Sequence, residues 1–462
     1  MPAHGYTEQL ATFCAGLRYD DLPADVVLRA RLCLLDSIGV MLAGAATDIG
    51  ARTRTFATRF GGEAIASIVG APERTSPSNA ALVNGTSLEI FELQDGWRLG
   101  NVHPCVVIPA ALATAEWRGA RASELIAAIV AGYEVVNRLS WTMVPRHLAR
   151  GYLPTGTAGT CGSAAAAGVL LGLDAAAMTN ALGIAAFILP LSTAENLWGG
   201  YSAKPLHAGY AARQGIDAAL LARDDFAACP IEGSPEHGRG VLEITTGDVD
   251  FSRITDRLGE YYTIRDVYFK AIPACRHVHG TAEAVLNATR GHAIAADDVE
   301  SIGIHTYTLS ASRLNRYPDP QGSAIAAQFS LPFAAAAALL DGALGMNQFG
   351  DDRVRDPALI ALARKVSVHV DPAIDAVYPN VTPTRVEIAL RDGRTLSNQV
   401  DMPRGDPRAP LSEDDLLAKF RETAGMVLAP PAVTTLADAI LHLDRDADIR
   451  PLLAQVRVAA AA

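Results

Sequence analysis

Lysine is nearly missing from this chain. It occurs only at Lys204, Lys270, Lys365 and Lys419, four of the 39 basic residues, and the other 35 are arginine. A bias in base composition accounts for the excess of arginine as a whole. A lysine that persists against it is still worth marking, because only lysine offers a compact ammonium that can lose its proton when buried. Runs of Lys or Arg are also missing, and the formal net charge is −11. A nucleic-acid binder would carry a basic stripe, so that class is set aside. No apolar run reaches the roughly 18 residues of a membrane span. The opening MPAHGYTEQL has no basic segment leading into an apolar core, so neither a membrane nor a secretory route is expected, and a cytoplasmic protein is. Cys14, Cys33, Cys105, Cys161, Cys229 and Cys275 include no C-x-x-C pair. Most fall in apolar helical patterns and read as small buried thiols of a reducing compartment.

Motifs that would announce a cofactor are lacking as well. There is no G-x-S-x-G elbow, no Walker A loop and no H-E-x-x-H. GTAGTCG (156–162) is glycine-rich, but no strand pattern precedes it, so a dinucleotide fingerprint is not indicated. Three clustered cysteines for an iron–sulfur centre are absent. His277 and His279 flank a single residue, a weak metal spacing. The expectation is therefore an enzyme with no cofactor and no metal.

With 462 residues, 50% of them hydrophobic, the chain exceeds what one core usually serves, and two domains are expected. At 19% charged residues, long disorder is not. Apolar residues recur with helical spacing over 22–44, 76–93, 104–118, 122–141, 155–172, 174–189 and 204–223. TAGTCGSAAAAGVLLGL (157–173) has almost no polar face, which predicts a buried helix at the centre of a helical core. The period then changes to two in VESIGIHTYTLS (299–310), in VSVHV (366–370) and in two runs around Asp392-Gly393 (384–402), the last a hairpin signal. SAIAAQFSLPFAAAAALLDG (323–342) between them reads as a helix ending on glycine. SEDDLLAKFRETAG (412–425) restores the helical period, with Ser412 and Asp415 as a capping pair. The predicted architecture is mainly α: a large helical domain from residues 1–264 and 404–462, interrupted by a smaller α+β domain at 265–403.

Four helix starts carry the candidate chemistry. Asn101-Val102-His103-Pro104, Leu153-Pro154-Thr155-Gly156 and Ser202-Ala203-Lys204-Pro205 each place proline at a start, and Arg276-His277-Val278-His279 precedes the apparent helix TAEAVLNATR. Unpaired N–H groups and the helix dipole make such starts seats for carboxylates. A His, Lys or Arg stands beside three of them. If the starts converge, the pocket suits a small di- or tricarboxylate, with Thr155 among the binding groups. Glu92 and Asp95 in FELQDGW are available carboxylates.

Several segments then resemble one family. YSAKPLHAGYAA (201–212) resembles the K-P-L-H-x-G segment of the MmgE/PrpD family, and PACRHVHGTAEA (273–284) its P-x-C-R-x-x-H segment. NGTSLEIFELQDGW (84–97) with NVHPC (101–105), LPTGTAGTCGSAAAAGVLLGLD (153–174) and AAQFSLPFAAAAAL (326–339) resemble further motifs, in order along nearly the whole chain. The resemblance implies a helical domain with an inserted α+β lid, a homodimer, no organic cofactor and a site between the domains. It implies His103, Lys204 and His279 as catalytic residues, with Glu92 or Asp95 supplying a carboxylate. Arg276 and His207 are implied nearby, and Tyr317 by a looser match. Three positions depart from the family pattern: Glu92 for an aspartate, Gly96 for a threonine and Leu153 for a histidine. The departures imply a substrate with fewer carboxylates or with a bulkier apolar group near Leu153.

The implied reaction is proton removal next to a carboxylate, by His103 or His279, with fixed positive charge where the second negative charge develops. Dehydration or decarboxylation is the first expectation. Epimerisation by the same proton abstraction is the second, and a catalytically inactive carboxylate-binding dimer the third.

Overall fold

The computed structural model describes residues 5–59, 61–234, 236 and 238–458. The helical period at 22–44 becomes α1 (Ala24–Ala45), buried without interruption from Cys33 to Gly44. It is followed by α2 (Pro77–Leu88), α3 (Val107–Arg118), α4 (Ala122–Met143), α5 (Pro154–Leu171), α6 (Ala175–Ile188) and α7 (Leu206–Arg223). The glycine- and alanine-rich α5 lies against α4, α6 and α7. Its small residues let the backbones touch. A Cβ added to Gly162 would lie 2.6 Å from the Gly132 carbonyl oxygen of α4, and one added to Gly215 of α7 would lie 2.7 Å from the Ala164 nitrogen.

The change of period at 299 marks a second assembly, built on α8 (Arg276–Thr289), β1 (Val299–Thr306), α9 (Leu331–Asp341), β2 (Val366–Val370), β3 (Thr384–Leu390) and β4 (Thr395–Val400). The sheet order is β4-β3-β1-β2. β4 and β1 pair antiparallel to β3, and β2 pairs parallel to β1. The hairpin turns at Gly393, whose φ of 88° suits glycine. α10 (Glu413–Ala424) and α11 (Pro430–Leu441) follow, and a short helix at Arg450–Gln455 comes after them. Ser412 Oγ accepts from the Asp415 N–H at 3.1 Å, and Asp415 accepts from the Ser412 N–H at 3.0 Å, the capping pair read from the sequence.

Two large hydrophobic cores result, beside a small cluster of Ala57, Ile68, Ala71, Leu82 and Val83. One collects side chains from Leu10 to Phe269 and again from Leu416 to Val456. The other collects Ile272 to Val400, joined by Leu153, Ala194, Leu197 and Trp198. Among the described residues no helix is long and apolar enough to cross a membrane.

Four elements differ from the pattern reading. The alternation read over 299–310 is a strand only as far as Thr306, and Thr308–Leu314 is a helix. The helix expected over 76–93 stops at Leu88, so Glu89 to Glu92 lie in a turn. The one expected over 323–342 is broken into Ala324–Ala327 and α9, because Ser330 caps the second piece and Pro332 sits in its first turn. Arg276, His277 and His279 lie inside the first turns of α8, not before it. Five of the cysteines are buried, but Cys229 is exposed.

Candidate active site

The close approach of two helices builds the site. A Cβ on Gly85 of α2 would lie 2.9 Å from the Gly209 Cα of α7. With no side chain between them, the end of α2 lies beside the start of α7. Glu89 is thereby set against Lys204 and His207. Beyond Glu89 the chain turns sharply, with Glu92 at φ 50°. This left-handed conformation is costly for a residue with a side chain and is retained where the surroundings enforce it. Gly96-Trp97 then pairs antiparallel with Val267-Tyr268. The Tyr268 phenol lies over Gly96, where a Cβ would meet its oxygen at 2.3 Å, so the glycine makes room for the ring. The same pairing carries Lys270 to Glu92.

The result is a buried cluster of two carboxylates, two ammoniums and two imidazoles. Lys204 Nζ donates to Glu89 Oε2 at 2.8 Å and to the Glu89 carbonyl at 2.9 Å, and it also pairs with Glu92 Oε1. Lys204 thus engages both carboxylates and a backbone carbonyl. Lys270 Nζ donates to Glu92 Oε2 at 2.5 Å and lies 3.4 Å from His103 Nε2. His103 Nδ1 is 2.8 Å from Glu89 Oε1, and His207 Nε2 is 3.3 Å from Glu89 Oε2.

These contacts set the charge states. Burial works against ionising Glu89, but His103, Lys204 and His207 reverse it and hold the carboxyl well below its usual range. Burial likewise opposes Glu92, and Lys204, Lys270 and His103 bring it down to about 2. Burial lowers the His103 pKa; Glu89 opposes this and Lys270 adds to it. An ionised Glu89 can only accept, so the His103 proton sits on Nδ1 and Nε2 carries the lone pair. Gln94 also reaches Nδ1 at 2.8 Å. Its amide fits this tautomer when turned so that its oxygen, otherwise buried without a partner, faces the Nδ1–H. The His103 backbone N–H donates to Thr155 Oγ1 at 3.2 Å, which ties the imidazole to the start of α5.

Glu89, Glu92 and His103 offer ligand atoms within 4.8 Å of one another. Two carboxylates and an imidazole are ligand types that suit a divalent metal. Here, though, the carboxylates already hold two ammoniums, which supply the positive charge a metal would bring.

A cavity of about 50 Å³ opens beside this cluster at the seam of the two cores. Its lining combines the polar Glu92, Asn101, His103, Thr155, His207, Tyr268, Arg276 and His277 with the apolar Leu148, Leu153, Leu197, Trp198 and Phe329. Arg276 Nη2 donates to the Pro403 carbonyl at 3.1 Å and its guanidinium sits 5.0 Å from the centre of the Tyr268 ring, but its buried Nη1 has no partner. His277 Nδ1 is 2.6 Å from the Tyr307 hydroxyl. Burial, with Arg276 and Lys270 nearby, lowers the His277 pKa to about 4.

Of the residues singled out from the sequence, Glu92, His103, Thr155, Lys204, His207 and Arg276 come together here. Three do not. Asp95 lies behind the site, where Oδ2 accepts from the Tyr133 hydroxyl at 2.7 Å and Oδ1 from the Cys105 N–H at 3.2 Å. His279 faces away from the cavity and its Nε2–H donates to the Ala274 carbonyl at 3.1 Å. Tyr317 borders a separate cleft behind Trp198 and donates to the Val366 carbonyl at 2.6 Å. Glu89, Gln94, Tyr268 and Lys270 belong to the site although no sequence motif marked them. Lysine scarcity was the one available signal for Lys270.

Comparison with known proteins gives the following. The family model described as the MmgE/PrpD N-terminal domain matches residues 8–254, and that of the MmgE/PrpD C-terminal domain matches residues 272–445. The cis-aconitate decarboxylase of Mus musculus is 27% identical, covering 96% of this chain and 92% of its own length. That of Aspergillus terreus is 27% identical (97% and 95%), and that of Homo sapiens 28% identical (96% and 93%).

Proposed function

The chain belongs to the MmgE/PrpD family, and from that premise we propose that it is a cofactor-independent lyase in which His103 Nε2 moves a proton at the carbon next to a substrate carboxylate. The single observation that carries the proposal is the clamped imidazole. Glu89 holds Nδ1–H at 2.8 Å, which leaves the lone pair on Nε2, 3.4 Å from the Lys270 ammonium, on a ring that lines the cavity. Its lowered pKa keeps the ring neutral, and so basic, at neutral pH.

Removing a proton beside a carboxylate builds a second negative charge on the substrate. Arg276 Nη1 and the Lys270 ammonium are the fixed positive groups beside that charge. Lys204 holds Glu89 and Glu92 in place and keeps both ionised, and so acts through them. Departure of a β-hydroxyl completes a dehydration. In a decarboxylation, the imidazole first takes that proton and then returns it to the carbon that has lost CO₂. The cis-aconitate decarboxylase relatives support a lyase. At about 50 Å³ the cavity has room for only a few waters, so its lining has to part to admit a substrate. The division of the chain into residues 1–264 with 404–462 and an inserted 265–403 belongs to the proposal and is supported by the two cores. So does a homodimer, for which the exposed Phe187, Phe226 and Ile244, lining one apolar groove, offer surface.

The test is proton exchange. Small carboxylic acids are incubated with the protein in D₂O and followed by NMR. Deuterium entering the carbon next to a carboxylate supports the proposal. Binding without exchange or turnover for every acid that binds contradicts it.

A further inference from the structure

Resting on the proton-abstraction reading, we infer that this site takes a monocarboxylate bearing an apolar substituent and disfavours di- and tricarboxylates. The argument begins with charge. Setting the imidazoles aside, the cluster and cavity wall carry three permanent cations, Lys204, Lys270 and Arg276, against two carboxylates, Glu89 and Glu92. One positive charge is left for a ligand. Arg276 is also the cation with a free group: Nη1 is buried without a partner. The nearest carboxylate to Arg276 is Asp406 at 3.6 Å, and Asp406 is more closely engaged by Arg408 at 3.1 Å. Lys204, by contrast, is already paired with both carboxylates and bonded to a backbone carbonyl. A second and third substrate carboxylate would enter this buried space with no cation to receive them, which strongly disfavours their charged forms.

The apolar part of the lining points the same way. Leu148, Leu153, Leu197, Trp198 and Phe329 offer a substrate no donor toward the cavity except the Trp198 indole N–H. Trp198 and Phe329 meet edge to face, with ring centres 6.0 Å apart. Such a wall gains by covering an alkyl or aryl group and cannot replace the water around a carboxylate. Arg276 and these apolar side chains line one small cavity. A ligand with an anionic head and an apolar tail satisfies both.

Three β-hydroxy acids separate the classes: 3-hydroxy-4-methylpentanoate with one carboxylate, malate with two and citrate with three. Each has exchangeable hydrogens next to a carboxylate. Affinities of the full-length protein are measured by calorimetry and exchange by NMR in D₂O. The inference expects 3-hydroxy-4-methylpentanoate to bind at least about 100-fold more tightly than citrate, with malate between. Equal or tighter binding of citrate or malate overturns it. Exchange reports separately. If the tightest acid binds without exchanging, proton abstraction fails while the order of affinities still decides the substrate class. Leu153→Arg adds a permanent cation to the apolar wall and is expected to improve malate relative to the monocarboxylate by about tenfold or more. A folded Leu153→Arg protein with the original ratio contradicts the charge argument.

Discussion

Replacing Glu89 by glutamine changes one oxygen to a nitrogen at the centre of the cluster. The wild-type carboxylate accepts from Lys204 at 2.8 Å and from the His103 Nδ1–H at 2.8 Å. Breaking a buried ion pair by removing one charge costs about 3–5 kcal/mol. The lower end applies here, since Lys204 keeps Glu92. The larger effect is on the tautomer. An amide N–H facing Nδ1 draws the imidazole proton to Nε2 and removes the lone pair there. Losing tautomer control in a comparable carboxylate–imidazole pair lowers turnover about 10⁴-fold, equivalent to roughly 5.5 kcal/mol of barrier. Glu89→Gln is therefore expected to lower kcat/KM and the rate of α-hydrogen exchange by about 10³–10⁴-fold. The pH profile gives an independent reading. A general base acts above its pKa and fails as pH falls through it. Burial lowers the His103 pKa and Glu89 opposes that lowering, so removing Glu89 moves the acid limb to still lower pH. Kinetics across pH 4–9 and chemical denaturation on the same samples check both effects. A plateau within tenfold of wild type, or a limb displaced to higher pH, refutes the role given to Glu89.

Lys204→Arg is expected to lose most activity and to unfold more easily, because a planar fork cannot replace an ammonium holding two carboxylates and a carbonyl; wild-type kcat and melting temperature would contradict this. Burial pushes the Asp95 carboxyl from 3.8 to about 7. A raised folded pKa means that the fold binds the proton more tightly than the unfolded chain does, so the contribution is fully present below 3.8 and is lost as pH rises toward 7. Asp95→Asn removes this loss, and its stability relative to wild type should improve from pH 4 to 7 by up to about 4 kcal/mol and then level off; denaturation midpoints that shift in parallel for both proteins would contradict it. Exhaustive chelation and dialysis should leave activity unchanged, whereas a loss restored only by a divalent cation would assign Glu89, Glu92 and His103 to a metal.

How much of this was legible in the sequence depends on how local the cause was. The period switch at residue 299 announced the sheet, because alternation is a property of each strand alone. The Asp392-Gly393 turn and the Ser412–Asp415 cap are likewise local. Glu89 was missed because the apolar spacing of LEIFEL continues past Leu88, while the helix ends where the chain turns to aim Glu92. The first turn of α8 was missed because Cys275 provides no capping side chain and β-branched Val278 and Thr281 are weak helix formers. Gly96 read as a lost hydroxyl, but the Tyr268 phenol, 172 positions away in sequence, covers it through a strand pairing that no local pattern reveals. Lysine scarcity said more than was taken from it. Lys204, Lys270 and Lys419 are all buried and each pairs with a carboxylate, whereas Lys365 caps carbonyls away from the site.

The most direct test of the central claim compares wild type with His103→Ala in D₂O, using whichever of the three β-hydroxy acids binds most tightly. Calorimetry first establishes that both proteins bind the acid, and NMR then measures deuterium entering the carbon next to its carboxylate. Wild type is expected to exchange. His103→Ala is expected to bind within about tenfold and to exchange at least about 10³-fold more slowly, since the base is gone while Arg276 remains. Exchange by His103→Ala at the wild-type rate would show that another group moves the proton.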